Sequence, residues 1–213
     1  MTTINDAERW ARDADVFTIA ASGQTIPIHA VRGADDETSL SALTPGERRW
    51  VEANAFKGSA KSHLALADGE GGLAAVLVGL GTGGRGEPCG PDELMLGDLG
   101  RKLPPATYRL GEGWRAPDVA ALAWGLGAYR FQAYKSVGKE HADRQREPAR
   151  LVLPEGSADR VRAVANAVWR ARDLINTPAN DLGPAELEAA AGALAARHGA
   201  DVTGTIGDDL VAR

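Results

Sequence analysis

The stretch Leu174-Ile175-Asn176-Thr177-Pro178-Ala179-Asn180-Asp181-Leu182-Gly183-Pro184 divides this chain. Pro178 steers Thr177 out of the helical region, Asn180 and Asp181 suit a turn, and Pro184 suits the first position of a new helix. One helix is therefore expected to stop near Ile175 and another to open at Pro184. Before the joint, Ser157 is placed to cap a helix running to about Ile175. Its apolar stripe reads as Val161, Val164, Val168 and Ile175, with Trp169 beside it and arginines on the other face. After the joint, Pro184 to His198 reads as a helix stopped by Gly199, and Asp201 to Ile206 as a strand. A single helix and strand cannot cover each other's apolar faces, so this tail is expected to need further sheet from elsewhere.

Upstream of the joint, strand and helix signals alternate. Asp15 to Ala21 and Thr25 to Val31 read as an opening pair of strands, with a hairpin as one arrangement, and Asp35 to Ser41 reads as a polar loop. Thr44-Pro45-Gly46-Glu47 opens a helix over roughly Pro45 to Ala55. Lys61 to Ala67 alternates like a half-buried strand, and Leu73 to Gly79 is the unbroken apolar run of a doubly covered one. A helix over Pro91 to Leu103 and a strand over Ala106 to Leu110 follow. Next come a helix over Asp118 to Lys135 with Asp118 as its cap and a strand over Arg150 to Leu153. This alternation predicts an α/β fold with a mixed or mainly parallel sheet flanked by helices.

The 213 residues are enough for one domain and part of a second, with 44% hydrophobic and 25% charged residues, as in ordinary globular chains. Leu73 to Leu80 is too short to span a bilayer, and Met1 to Trp10 has no apolar signal core, so a cytoplasmic protein that does not enter membranes is expected. The single Cys89 excludes an internal disulfide framework. A net charge of -5 argues against a general nucleic-acid binder, which needs a basic face.

The chemical motifs are sparse. Gly79-Leu80-Gly81-Thr82-Gly83-Gly84 matches the dinucleotide-binding pattern after a strand, but Arg85 to Pro91 intervene before any helix could present its N-terminus to a phosphate. A connecting turn explains these glycines better. His29, His63, His141 and His198 are scattered without metal-ligand spacing, and Cys89 has no partner for a zinc pair. No serine sits in a nucleophile elbow.

Asn176-Thr177-Pro178-Ala179-Asn180 followed by Leu182-Gly183-Pro184-Ala185-Glu186-Leu187 resembles the segment that opens the catalytic domain of the leucyl (cytosol) aminopeptidases, which are di-metal exopeptidases. Phe56-Lys57-Gly58, Val76 to Gly81 and Gly125 to Lys135 extend the likeness in the same order. The resemblance implies a macro-domain-like N-terminal domain over residues 1–155, a linker helix over 156–175, and the truncated start of an α/β catalytic domain over 176–213. It also implies, for the parent protein, two divalent metal ions (manganese or zinc), peptide substrates and a homo-hexamer. The family's Gly-Lys-Gly, Asp-x-Gly-Gly and Asn-Thr-Asp-Ala-Glu-Gly-Arg motifs do not occur in this sequence. Lys139 is followed by Glu140-His141-Ala142-Asp143 and reads as a solvated residue, and Glu186, Glu188, Asp208 and Asp209 lack the spacing of a metal centre. No catalytic, cofactor-binding or metal residue is therefore expected here, and the chain, lacking its C-terminal catalytic domain as partner, is expected to be inactive alone. The alternative is a free-standing macro-like module that binds a nucleotide or ADP-ribose near Gly79 to Gly84. It explains the glycines but not Asn176 to Pro184 or the unfinished tail.

Overall fold

The computed structural model describes residues 13–19, 23–83, 90–131, 134 and 147–211. The apolar runs become six strands: β1 (Phe17–Thr18), β2 (Ile26–Val31), β3 (His63–Ala67), β4 (Leu73–Gly79), β5 (Thr107–Leu110) and β6 (Arg150–Val152). Between them lie helices α1 (Glu37–Leu40), α2 (Pro45–Ala53), α3 (Leu99–Lys102) and α4 (Pro117–Gly127), and after β6 come α5 (Ala158–Asn176) and α6 (Pro184–His198). A 3-10 segment, Asp92–Asp98, runs directly into α3, and a second covers Gly207–Leu210. The described residues fall into two compact units. The first comprises 14–130 and 147–165, and the second Asp13, Phe131, Tyr134 and 166–211.

The first unit holds one sheet in the order β1-β6-β5-β2-β4-β3, with every neighbouring pair parallel except the antiparallel edge pair β3 and β4. The α/β fold with a mixed, mainly parallel sheet is thus present. The opening strands are not a hairpin, because β6 and β5 separate β1 from β2. Only Phe17–Thr18 of the Asp15 to Ala21 run pairs, and residues 20–22 lie outside the described residues. Pro27 is tolerated within β2 because the ladder with β4 begins only at Ile28.

On one face of the sheet, Val31, Leu66, Ala75 and Leu77 pack with Leu43 and Val51 into a continuous apolar cluster. Helix α2 reaches this cluster through its reciprocal cap: Thr44 Oγ1 accepts from Glu47 N at 3.3 Å, and Glu47 Oε2 accepts from Thr44 N at 2.7 Å. Its Trp50 indole donates to Ala65 O at 3.3 Å, covering part of the open edge of β3. Asp68 turns the chain between β3 and β4 by accepting from Glu70 N and Gly72 N, both at 2.8 Å, and these bonds hold its carboxyl below the usual carboxylate range.

Several expected boundaries move for local reasons. The polar loop at Asp35 to Ser41 contains α1, which Asp36 caps by accepting from Ser39 N. The Pro91 to Leu103 helix is mostly 3-10, with only Leu99–Lys102 α-helical. Two glycines, Gly97 and Gly127, bring this segment into backbone contact with α4, and a Cβ on Gly127 would overlap the Gly97 carbonyl. Helix α4 starts at Pro117 with Ala116 as cap, so Asp118 sits in its first turn, and it ends at Gly127 instead of reaching Lys135. Trp124 on α4 is fully buried against Tyr108, with ring centroids 5.7 Å apart.

In α5 the buried positions are Val161, Ala165, Trp169 and Asp173, a strict i, i+4 row, while Val164 and Ile175 are exposed. The expected stripe was rotated because alanine and aspartate carry little hydropathy signal. In the second unit, Asp13 binds Arg170 at 3.2 Å and also accepts from Arg197, joining α5 to α6. Helix α5 ends as the sequence indicates: Thr177 Oγ1 donates back to Asp173 O at 2.7 Å, and Asp181 N and Leu182 N both turn onto Pro178 O. Gly199 closes α6 in the left-handed conformation, φ 63°. Asp201 to Ile206 pairs with no strand among the described residues, although Ile206 itself is extended.

The contact between α4 and the 3-10 segment gives a direct test. Replacing Gly127 by Ala is expected to destabilise the first unit by about 2–3 kcal/mol, since backbone and not a flexible side chain stands in the way. Urea unfolding followed by tryptophan fluorescence reads this loss, and an unchanged midpoint would show that the packing is looser than described.

Candidate functional site

The sheet has one place where its connections diverge. From β2 the chain leads to β3 and β4 on one side, and from β4 it crosses to β5 on the other side of β2. In open parallel sheets this switch point leaves a crevice at the carboxyl ends of the strands, where ligands bind. Here the loops after β2 and β5 line an open cleft of about 460 Å³ formed by Arg32, Asp36, Thr38, Ser39, Gly113, Trp114 and Arg115.

The floor of the cleft is tied rigidly. Arg32 N donates to Asp36 Oδ2 at 2.8 Å, and the same carboxylate accepts from Ser39 Oγ at 3.1 Å. The Arg32 guanidinium donates to Gly113 O and to Glu93 Oε1, the latter at 3.2 Å, and its Nε lies 3.6 Å from Asp92. Glu93 is buried and also accepts from Ala116 N at 3.3 Å, so the start of α4, β2 and the 3-10 segment meet at one carboxylate. Gly113 takes φ 88°, and a Cβ there would strike Ala30 O and Ser39 Oγ, so only glycine lets the two loops close on each other. Trp114 Nε1 donates to Ile28 O at 2.8 Å, fixing the indole at the wall.

Behind the cleft, His29 is buried and its Nδ1 accepts from Glu112 N at 3.0 Å. That acceptor requires the neutral ring. Desolvation first, and the nearby Arg109 charge second, push the imidazole below its ordinary 6.5, against smaller opposing pulls from Glu112 and Glu47.

The glycine run Gly79 to Gly84, where the sequence offered a nucleotide site only as the alternative to a connecting turn, begins at the last residue of β4. There Gly79 N donates to Ser62 O at 2.8 Å, Leu80 N to Val31 O at 2.9 Å, and Gly81 N to Gly58 O at 2.9 Å. Amides already used by main-chain carbonyls are not open to a phosphate, so these three do not form the cradle a dinucleotide needs. Gly79 is required because a Cβ would collide with Ser59 O in the turn before β3. Residues 84–89, with Cys89, and Lys139 and His141 lie outside the described residues. Among the described residues, no three His, Cys, Asp or Glu side chains come together as metal ligands, so they do not fit a two-metal centre. No described helix is long and apolar enough to cross a membrane. The switch-point residues were missed because Arg32 and Trp114 lie 82 positions apart and match no motif; the loops become neighbours only through the β2–β5 ladder.

Two outcomes follow from this geometry. Glu93→Ala is expected to cost about 1.5–3 kcal/mol, because it removes the buried carboxylate bonded to the Arg32 guanidinium and leaves Asp92, at 3.6 Å, as its counter-charge; urea denaturation measures it. For His29, the unfolded chain binds a proton more readily than the fold between the depressed value and 6.5. Its stabilising contribution is therefore complete above about 6.5 and is lost as pH falls through that window. Unfolding free energies measured across pH 5–8 should show this fall, and His29→Gln should flatten it.

Comparison with known proteins agrees with this architecture. Residues 26–154 match the M17 aminopeptidase N-terminal domain. The "Probable cytosol aminopeptidase" of Streptomyces avermitilis is 40% identical over an alignment of 98 positions, with 41% of this chain and 19% of the relative covered. That of Methylorubrum extorquens is 34% identical over an alignment of 172 positions, with 74% of this chain and 34% of the relative covered. The crystal structure of the cytosol aminopeptidase from Coxiella burnetii superposes with a TM-score of 0.75 at 29% identity, covering 93% of this chain and 41% of that one. The matched region thus spans about a third or less of these curated relatives' length. With its sheet and most of its length accounted for in this way, the chain belongs to the M17 aminopeptidase family through its N-terminal domain.

Proposed function

We infer that this chain is the N-terminal part of a leucyl aminopeptidase-type metallopeptidase, whose catalytic groups lie in sequence beyond residue 213. The observation that carries this reading is the tail of the second unit. Leu187 and Leu194 on α6, and Val202, Ile206, Leu210 and Val211 after it, expose their side chains, and residues 201–206 have no strand partner among the described residues. An apolar surface of this kind, next to a strand-like segment with nothing to pair with, is what the first elements of an unfinished α/β domain present.

In this reading residues 1–155 form the N-terminal domain, comparable to macro domains, 156–175 the linker helix, and 176–213 the entry to the catalytic domain. The complete enzyme removes N-terminal amino acids from peptides in the cytoplasm and assembles as a hexamer. Two divalent ions, manganese or zinc, would be held by residues outside this chain, where they would supply Lewis-acid chemistry for peptide hydrolysis. The residues present here contribute assembly or the shaping of access to the site, and none is a catalytic or metal-binding residue.

The test is an assay of leucyl-p-nitroanilide hydrolysis by the purified 213-residue chain with manganese or zinc added. No turnover above the metal-only blank is expected, while turnover that follows the chain through purification would place a catalytic centre inside it. Extending the chain with its own downstream sequence should restore hydrolysis.

A further inference from the structure

We propose that the switch-point cleft between the loops after β2 and β5 binds a small organic anion carrying a planar ring. The cleft's volume, about 460 Å³, lies within the range of small-ligand sites, and its walls are held by bonds between side chains and the main chain before any ligand arrives. The charges along it are not equally occupied. Arg32 is neutralised by Glu93 and Asp92, and both oxygens of Asp36 are taken by Arg32 N and by Ser39 N and Oγ. Arg115 is exposed at the rim and makes no hydrogen bond or ion pair among the described residues.

Arg115, a lining residue with no charge partner among the described residues, therefore offers the cleft a guanidinium suited to a two-pronged bond with a carboxylate or phosphate. Thr38 on α1 offers a hydroxyl on the other side, and half-buried Trp114 supplies an aromatic wall. Because Trp114 Nε1 is bonded to Ile28 O, its ring is held in place, and stacking a planar group on it costs little ordering. Anion and ring are thus recognised by different residues of one pre-formed cleft. The site belongs to the first unit alone and does not depend on the peptidase reading.

Calorimetric titration of the 213-residue chain with AMP and with N-acetylphenylalanine offers the anion as phosphate and as carboxylate. Adenosine and N-acetylphenylalanine amide offer the same rings without charge. At least one anion should bind with Kd below about 1 mM, and its neutral counterpart should bind about tenfold or more weaker. Whichever anion binds identifies the source. Arg115→Ala should weaken that anion about tenfold while leaving the far-ultraviolet circular dichroism and Tm unchanged, since the side chain is exposed and unbonded. Thr38→Val should weaken it less. The proposal is overturned if neither anion binds by about 5 mM, if the neutral compounds bind equally well, or if Arg115→Ala leaves affinity intact.

Discussion

Strand β2 is hydrogen-bonded on both sides by parallel partners, β4 from Ile28 to Val31 and β5 from Ile26 to Ile28. Parallel neighbours cannot be joined by a tight turn, so each connection must leave the sheet and return across a face. From this one pairing follow the helical cover on the sheet, the crossing from β4 to β5, and the divergence of the loops at the carboxyl end of β2. The apolar cluster around Val31, Leu66 and Leu77 then seals the face that α2 covers.

The same constraint determines where polar groups are sequestered. Arg32 leaves β2 at the switch point and reaches the 3-10 segment and the loop after β5 at once, so its guanidinium is held by groups from two separate stretches of chain. A charge this enclosed is tolerated only because Glu93, itself buried, is delivered against it. Glycine recurs at the same junctions for a steric reason. Gly79, Gly113 and Gly127 each stand where another backbone passes too closely for a Cβ. Gly79, which a motif search reads as the start of a nucleotide signature, thus serves the packing of β4 against the turn before β3.

Much of the fold could be read from local chemistry. The capping box at Thr44 and Glu47, the unbroken run of β4, and the Pro178, Pro184 and Gly199 punctuation each act within a few residues and appear as expected. Readings failed where distant chain intervened. The first two strands were expected side by side, yet β1 pairs with β6, more than a hundred residues later. The buried row of α5 includes Ala165 and Asp173, whose burial depends on what packs against them and not on their hydropathy. Asp201 to Ile206 has the composition of a strand but no ladder, because a strand exists only with a partner.

Family membership was legible because the Asn176 to Pro184 joint is a contiguous run whose residues act locally, each proline and asparagine imposing its own backbone preference. By itself, then, the sequence determined the α/β alternation, the helix limits around the joint and the kinship with the aminopeptidases. Strand order, the Arg32–Glu93 pairing and the cleft beneath Trp114 and Arg115 were decided only in three dimensions. The physical reason is range: caps, turns and periodicity are set by neighbours in the chain, whereas ladders, buried ion pairs and crevices join residues that only the closed sheet brings together.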